Sequence, residues 1–361
     1  MFSRNATRRT TSRIPLPIDA VVAVTYLCNS RCTMCDFWKE TRQPTLTLED
    51  YRKFPSTLRD INVSGGEPFL HPKIVDIVRT LHETCPKARI TISTNGFLTD
   101  LVCKRTKEMR KFLPSIGIRI SIDGIDDMHE RIRRIPQALE KDLATLRQLR
   151  AIGVRDLGIA YTMSEENVEH LTKVYDLARR EGVDCTWAVA QSSDFYFGGK
   201  QIERRAEAGV VAREFDTLMA HELGRWRPKA WVRAYFAYGL RRLALDGVQV
   251  LPSRAGTDFF FLDPFGSVYP SVVHPSIMGN LSAASSFADL WSSTSADDAR
   301  RVVSAWDRPY WMVCTARTAI RRNLAMVGWW VLAQQMRVNG RRMLAAVTAF
   351  PRRGVRTHDA G

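Results

Sequence analysis

The sequence predicts an α/β protein built on a parallel sheet that curls into an open, partial (β/α)6 TIM-like barrel. Three observations predict it. Six β-like apolar runs alternate with helical patterns from residue 19 to about residue 190, roughly 30 residues per unit. Units of that length join parallel neighbours by right-handed crossovers. Each run is also followed by a polar or glycine-rich cluster. All six clusters then lie at the carboxyl ends of the strands, where parallel α/β folds build active sites. A doubly wound sheet has the same periodicity, and the clusters form a rim in either arrangement.

The predicted strands are Val21–Thr25, Asp60–Val63, Ala88–Ser93, Ile116–Ile122, Leu157–Thr162 and Thr186–Ala190. Between them lie helical patterns over Pro72–Glu83, Asp100–Phe112, Gln137–Ile152 and Val168–Glu181. In the last, Val168, Leu171, Val174, Tyr175 and Ala178 recur at helical spacing. Gly153 and Gly182 stand where helix C-caps are wanted. The clusters run in order: Cys28–Cys35, Ser64-Gly65-Gly66-Glu67-Pro68, Thr94-Asn95-Gly96, Asp123-Gly124, Thr162-Met163-Ser164 and Gln191-Ser192-Ser193-Asp194. Tyr161, Gln191 and Asp194 are candidate pocket residues at these strand ends.

The first cluster carries the most specific chemistry. Cys28, Cys32 and Cys35 have C-x3-C-x2-C spacing on one loop. Three thiolates so placed suit three irons of a [4Fe–4S] cluster and leave the fourth iron free to bind a small molecule. Structural zinc wants four ligands, and no fourth Cys or His lies near in sequence. Cys85, Cys103, Cys185 and Cys314 read as small hydrophobes.

Composition narrows the setting. Seven cysteines in 361 residues are too few for a disulfide scaffold, and three on one loop argue for metal in a reducing compartment. No secretory signal is visible, because Arg8-Arg9 is not followed by an apolar stretch. The expected location is cytoplasmic. The net charge of +15 is concentrated at the ends. Residues 1–18 hold four arginines and no acid, and Pro15 and Pro17 speak against a helix there, so a basic disordered tail is expected. From Arg308 to His358 there is again no Asp or Glu, among many arginines. Such ends suit an anionic partner or a solvated basic surface. Asn323 to Val338 is apolar nearly all round, with Trp329 and Trp330 at its centre. It predicts either a helix packed on the barrel, including a contact between copies, or peripheral membrane contact through 319–350 at the inner membrane surface. The aromatics do not interleave with the arginines as a base-stacking surface would, so no nucleic acid is expected.

From about residue 19 to about residue 318 the chain resembles the radical S-adenosylmethionine (radical SAM) enzymes, in the branch with a C-terminal SPASM or twitch extension. The resemblance rests on the cysteine loop followed by Gly65-Gly66-Glu67-Pro68. It implies one [4Fe–4S] cluster on Cys28, Cys32 and Cys35, with SAM on the open iron. Gly65 and Gly66 would give close backbone approach to SAM, and Glu67 would recognise its ammonium group. Ser93 and Asn95 match the third-strand motif. Ser121 and Asp123 match the positions that meet the ribose, and Arg133 matches one that pairs with the SAM carboxylate. Met34 stands where many relatives have an aromatic residue. The resemblance further implies an electron donor such as flavodoxin or ferredoxin.

The C-terminal part follows the order of a SPASM-like module, but Ser253 and Ser271 stand where cysteines are usual, and of the later cysteines Cys314 alone is left. Hydroxyls replace thiolates poorly on iron. The expected organisation is a basic tail over 1–18, a core over 19–225, a degenerate SPASM/twitch-like α+β domain over 226–318, and a Trp-containing helical tail over 319–361. The expected function is hydrogen abstraction from a small-molecule or lipid-linked substrate. A peptide-modifying maturase is the first alternative. A basic membrane- or RNA-associated binding protein with a structural cluster is the second.

Overall fold

The computed structural model describes residues 14–202 and 206–348. The tails expected at 1–18 and 319–361 therefore lie partly outside the described residues, over 1–13 and 349–361.

Nine strands form one sheet: β1 Asp19–Thr25, β2 Asp60–Gly65, β3 Arg89–Thr94, β4 Gly117–Ser121, β5 Asp156–Met163, β6 Asp184–Val189, β7 Phe259–Leu262, β8 Ser267–Tyr269 and β9 Gly279–Asn280. Their order is β6-β5-β4-β3-β2-β1-β7-β8-β9. Strands β1 to β6 are parallel neighbours, as the six predicted runs require. The C-terminal strands are not a separate layer. β7 pairs parallel with β1, Ala20 opposite Phe260, and β8 and β9 continue antiparallel.

Among the described residues there are twelve α-helices: α1 Leu48–Arg52, α2 Ile74–Thr84, α3 Thr99–Arg110, α4 Asp127–Arg133, α5 Ala138–Ala151, α6 Leu171–Arg180, α7 Ala208–Leu223, α8 Pro228–Asp246, α9 Phe287–Trp291, α10 Thr294–Ser304, α11 Val313–Arg322 and α12 Leu324–Thr348. Helices α2, α3, α5 and α6 realise the predicted patterns. The sequence reading passed over α4, which is only seven residues long.

Strand alternation explains both faces of the sheet. Ala20, Val22 and Val24 of β1, with Ile61, Val63, Ile90, Ile92, Ile118 and Ile120, form the main core beneath the helices. The opposite face is made of small or polar side chains on β2 to β5, namely Asn62, Ser64, Ser93, Ser121, Ala160 and Thr162. That face leaves room, and an aromatic cluster around Phe37, Tyr196 and Phe261 borders it.

The basic C-terminal segment is partly neutralised by the core. Arg317 pairs with Asp60 at 2.7 Å, Arg321 with Asp60 at 2.9 Å and Arg322 with Asp258 at 2.9 Å. Among the described residues no helix is long and apolar enough to cross a membrane.

Candidate functional site

The carboxyl ends of β1 to β6 surround a cavity with about 1370 Å3 of empty space, part of it open to solvent. Nine of the predicted site residues line it: Cys28, Cys32, Cys35, Gly65, Gly66, Ser93, Asn95, Ser121 and Arg133. Glu67 and Asp123 do not, and both are buried beneath its wall.

The cysteine loop leaves β1 and is fastened to α4. Thr33 N–H donates to the Ile132 carbonyl at 2.9 Å, and the Ser30 hydroxyl donates to the Arg133 carbonyl at 2.8 Å. The carbonyls at the C-terminal end of this short helix thus hold the loop. The second loop is fastened to the first. Gly66 N–H donates to Thr25 O at 2.8 Å, and Glu67 N–H to Leu27 O at 2.9 Å.

This contact gives the two glycines a structural reason of their own. A Cβ on Gly65, whose φ is +126°, would lie 2.1 Å from the Thr25 carbonyl oxygen. One on Gly66 would lie 2.3 Å from that of Leu27. The obstruction is the protein's own backbone. Gly66→Ala should therefore destabilise the fold by about 3 kcal/mol, because neither strand end can retreat. Urea unfolding of the metal-free protein measures this, and a loss below about 1 kcal/mol would show that the two loops yield.

Glu67 is likewise occupied within the protein. Its carboxylate accepts from Asn95 N–H at 2.7 Å, Phe69 N–H at 3.0 Å and the Thr94 hydroxyl at 2.9 and 3.0 Å. Burial pushes its pKa up to about 7, against the pull of these donors. Its side chain braces the end of β3. Asp123 is turned inward as well. One carboxylate oxygen accepts from Thr162 N–H at 2.8 Å, and the other meets the Arg133 guanidinium at 2.5 Å. Burial raises the Asp123 pKa and Arg133 opposes it. Asp123 therefore aims Arg133 at the cavity.

Behind this pair lies a network that the sequence reading missed. His129 accepts from Asp123 N–H at 3.0 Å through Nδ1 and meets Asp142 at 2.8 Å through Nε2. Burial holds His129 down to about 3, so the ring is neutral and Nε2–H faces Asp142. A histidine at helical spacing from nothing distinctive carries no sequence signal. Asn62 was also missed, although alternation along β2 places it with Ser64 on the cavity face. Of the candidate pocket residues, Gln191 lines the cavity. Tyr161 points to the opposite core, and the Asp194 carboxylate accepts from Gln201 at the exposed surface.

The donor set fits an iron–sulfur cluster. Two of the three thiols have polar side-chain neighbours: Ser30 Oγ lies 3.1 Å from Cys32 Sγ, Arg133 Nη1 3.6 Å from the same sulfur, and Asn95 Nδ2 3.9 Å from Cys28 Sγ. Cys35 borders the cavity beside them. Burial pushes the Cys28 and Cys35 thiols up to about 12 in the absence of cations. Iron reverses that preference, and donors to sulfur then tune the cluster. Among the described residues no three Cys, His, Asp or Glu side chains converge on a point that would hold a single metal ion. A four-iron cube spreads its thiolates more widely than one tetrahedral ion does. Arg133 also keeps a buried Nε–H without a protein partner at the cavity wall.

Comparison with known proteins agrees with this geometry. Residues 22–178 match the Radical SAM superfamily. These residues form a radical SAM domain. The chain is a radical SAM enzyme that uses a [4Fe–4S] cluster and SAM. It is 25% identical to the AdoMet-dependent heme synthase of Methanosarcina barkeri, over 74% of this chain and 79% of that protein. It is 24% identical to the subtilosin biosynthesis protein AlbA of Bacillus subtilis, over 73% of this chain but 57% of that one. Among solved structures, anSMEcpe with bound AdoMet and a peptide superposes with a TM-score of 0.58 at 18% identity, covering 80% of this chain and 83% of its own. Streptococcus suis SuiB bound to precursor peptide SuiA gives 0.60 at 15%, covering 79% and 67%. These superpositions reach well beyond residue 178, so the shared fold includes the C-terminal extension of this radical SAM enzyme.

Proposed function

We propose that Cys28, Cys32 and Cys35 hold the cluster, that Arg133 and Asn95 face SAM, and that the far end of the cavity takes a neutral, largely apolar small molecule or lipid-linked group. When bound, the cluster and SAM supply a 5′-deoxyadenosyl radical that removes a hydrogen atom from the substrate. The chain's own residues do the rest. Arg133, fixed by Asp123, supplies positive charge for a carboxylate. The aromatic wall of Phe37 and Tyr196, with Tyr26 stacked on Phe37 at 4.4 Å, excludes water.

The observation that carries the substrate reading is the cavity lining. Among the described residues that line it, Arg133 is the one charged side chain beyond the cysteines, and Ala160, Ala188, Val189, Val272 and Met312 make the substrate end apolar. Among the described residues that end offers an acidic peptide no cation. The wider coverage of the heme synthase than of AlbA points the same way. The peptide-maturase alternative draws on SuiB, which superposes with its precursor peptide bound.

A single cluster is part of the proposal. Ser271, where a cysteine is usual, bonds His274 Nδ1 at 2.7 Å, and the Ser253 hydroxyl bonds Tyr310. Cys314 lines the main cavity, its thiol pushed up to about 11 by burial. Protein reconstituted without oxygen should bind about four irons per chain. It should form 5′-deoxyadenosine with dithionite and SAM. Eight irons would refute the single-cluster part. Incubation with small-molecule and lipid extracts of deuterium-grown cells should label the 5′-deoxyadenosine. Labelling only by a deuterated precursor peptide would favour the maturase.

A further inference from the structure

Helix α12 reverses the usual pattern of a surface helix, in which polar residues face outward. Its inner side is packed. Val327 and Val331 are buried, and Trp330 sits against Tyr238 and Tyr235 of α8 at 5.0 and 5.2 Å between ring centroids. Gln335 donates to the Leu223 carbonyl at the end of α7 at 2.7 Å. At about 100° per residue, Trp329, Leu332 and Met336 fall together on the opposite side. They are 74%, 63% and 69% exposed, and Met326 beside them is 55% exposed. No charged residue occurs between Leu324 and Met336. With Leu324, this one helix holds five of the eleven exposed large hydrophobic side chains among the described residues.

We propose that this face of α12 lies in the interface of a membrane that carries anionic lipid. Three observations select that occupant. The apolar stretch covers only about four turns, too short to span a bilayer but suited to lying in its plane. An exposed tryptophan is the residue that interfaces favour. Charge decides between lipid and a second copy. No acid occurs from Arg308 to His358, and Arg337, Arg341 and Arg342 follow the apolar stretch directly. A second copy would bring like charge against like, whereas an anionic surface complements it. Arg317, Arg321 and Arg322 belong to α11 and are held by Asp60 and Asp258, so they brace α11, which leads into α12, against the core. Trp226, 82% exposed, lies three residues from Leu223 and is flanked by Arg225 and Arg227, which gives the same end of the molecule a second anchor.

The test is co-sedimentation of the full chain with vesicles of phosphatidylcholine alone and of phosphatidylcholine with phosphatidylserine. Binding to the anionic vesicles is expected, with a blue shift of tryptophan fluorescence and weakening by salt. The triple variant Trp329→Ser, Leu332→Ser, Met336→Ser should bind at least about tenfold more weakly, since it removes most of the apolar area. Its urea midpoint should stay unchanged, because these side chains touch solvent. Equal binding by the triple variant, or no vesicle binding by the natural chain, overturns the proposal. So does a dimer in sedimentation velocity that the triple variant abolishes, because the face would then belong to a second copy. Equal binding to both vesicle types would remove the anionic requirement.

Discussion

Cys32→Ala should abolish both bound iron and SAM cleavage while leaving the fold intact. Cys32 sits at the centre of the loop, with Ser30 and Arg133 both against its sulfur. Removing it leaves two thiolates, which cannot retain a four-iron cluster that needs three protein ligands. Iron should fall from about four per chain to less than about one, and 5′-deoxyadenosine should drop to background. Stability should change by about 1 kcal/mol at most, because the thiol lies at the cavity edge and outside the main core. Iron assay, anaerobic product analysis and circular dichroism check the three parts together. Full iron retention in the variant would remove Cys32 from the ligand set. Lost iron with a lost fold would leave the loop only a structural role.

Arg133→Met should cost about 3–5 kcal/mol of stability in the metal-free protein, a large effect for a residue on a seven-residue helix. The cause is Asp123. Its fully buried carboxylate faces Arg133 at 2.5 Å, and Met would leave that charge without a cation. The double variant Arg133→Met, Asp123→Asn should recover at least about half of the loss, because the buried charge is removed with its partner. Arg133→Lys keeps the charge but not the planar fork, and should fold while binding SAM more weakly. Urea unfolding of all four proteins and equilibrium SAM binding separate the effects. Equal stability of Arg133→Met and the natural chain would mean that Asp123 is held by Thr162 N–H alone.

Much of this architecture was legible in the sequence, for reasons that also mark where legibility stops. Parallel strands buried on one face read as Val and Ile runs, so β1 to β6 were found within two residues at most ends. Cys28, Cys32 and Cys35 stood out because their spacing is local and their chemistry narrow. Ser93, Ser121 and Arg133 were found by their order along the chain. What was hidden depends on side-chain direction. Glu67 and Asp123 occupy the right strand ends but turn inward, since each meets backbone N–H donors beneath the cavity floor. His129 and Asp142 are thirteen residues apart and meet only because α4 and α5 pack together. The pairing of β7 with β1 joins segments 240 residues apart, and no local pattern reports it.

That pairing carries a consequence for how the chain is made. β1 leaves the ribosome about 240 residues before the strand it pairs with, so one of its edges stays open until Phe259–Leu262 has been synthesised. At about 5–20 residues per second the exposed edge persists for roughly ten seconds or more. An open strand edge invites pairing with a neighbouring chain. A fragment ending near residue 225 would contain every cysteine of the loop and still present one edge of β1 unpaired, so it should aggregate. In this protein the catalytic half cannot be excised from its C-terminal extension, because the extension completes the sheet on which the cysteine loop is built.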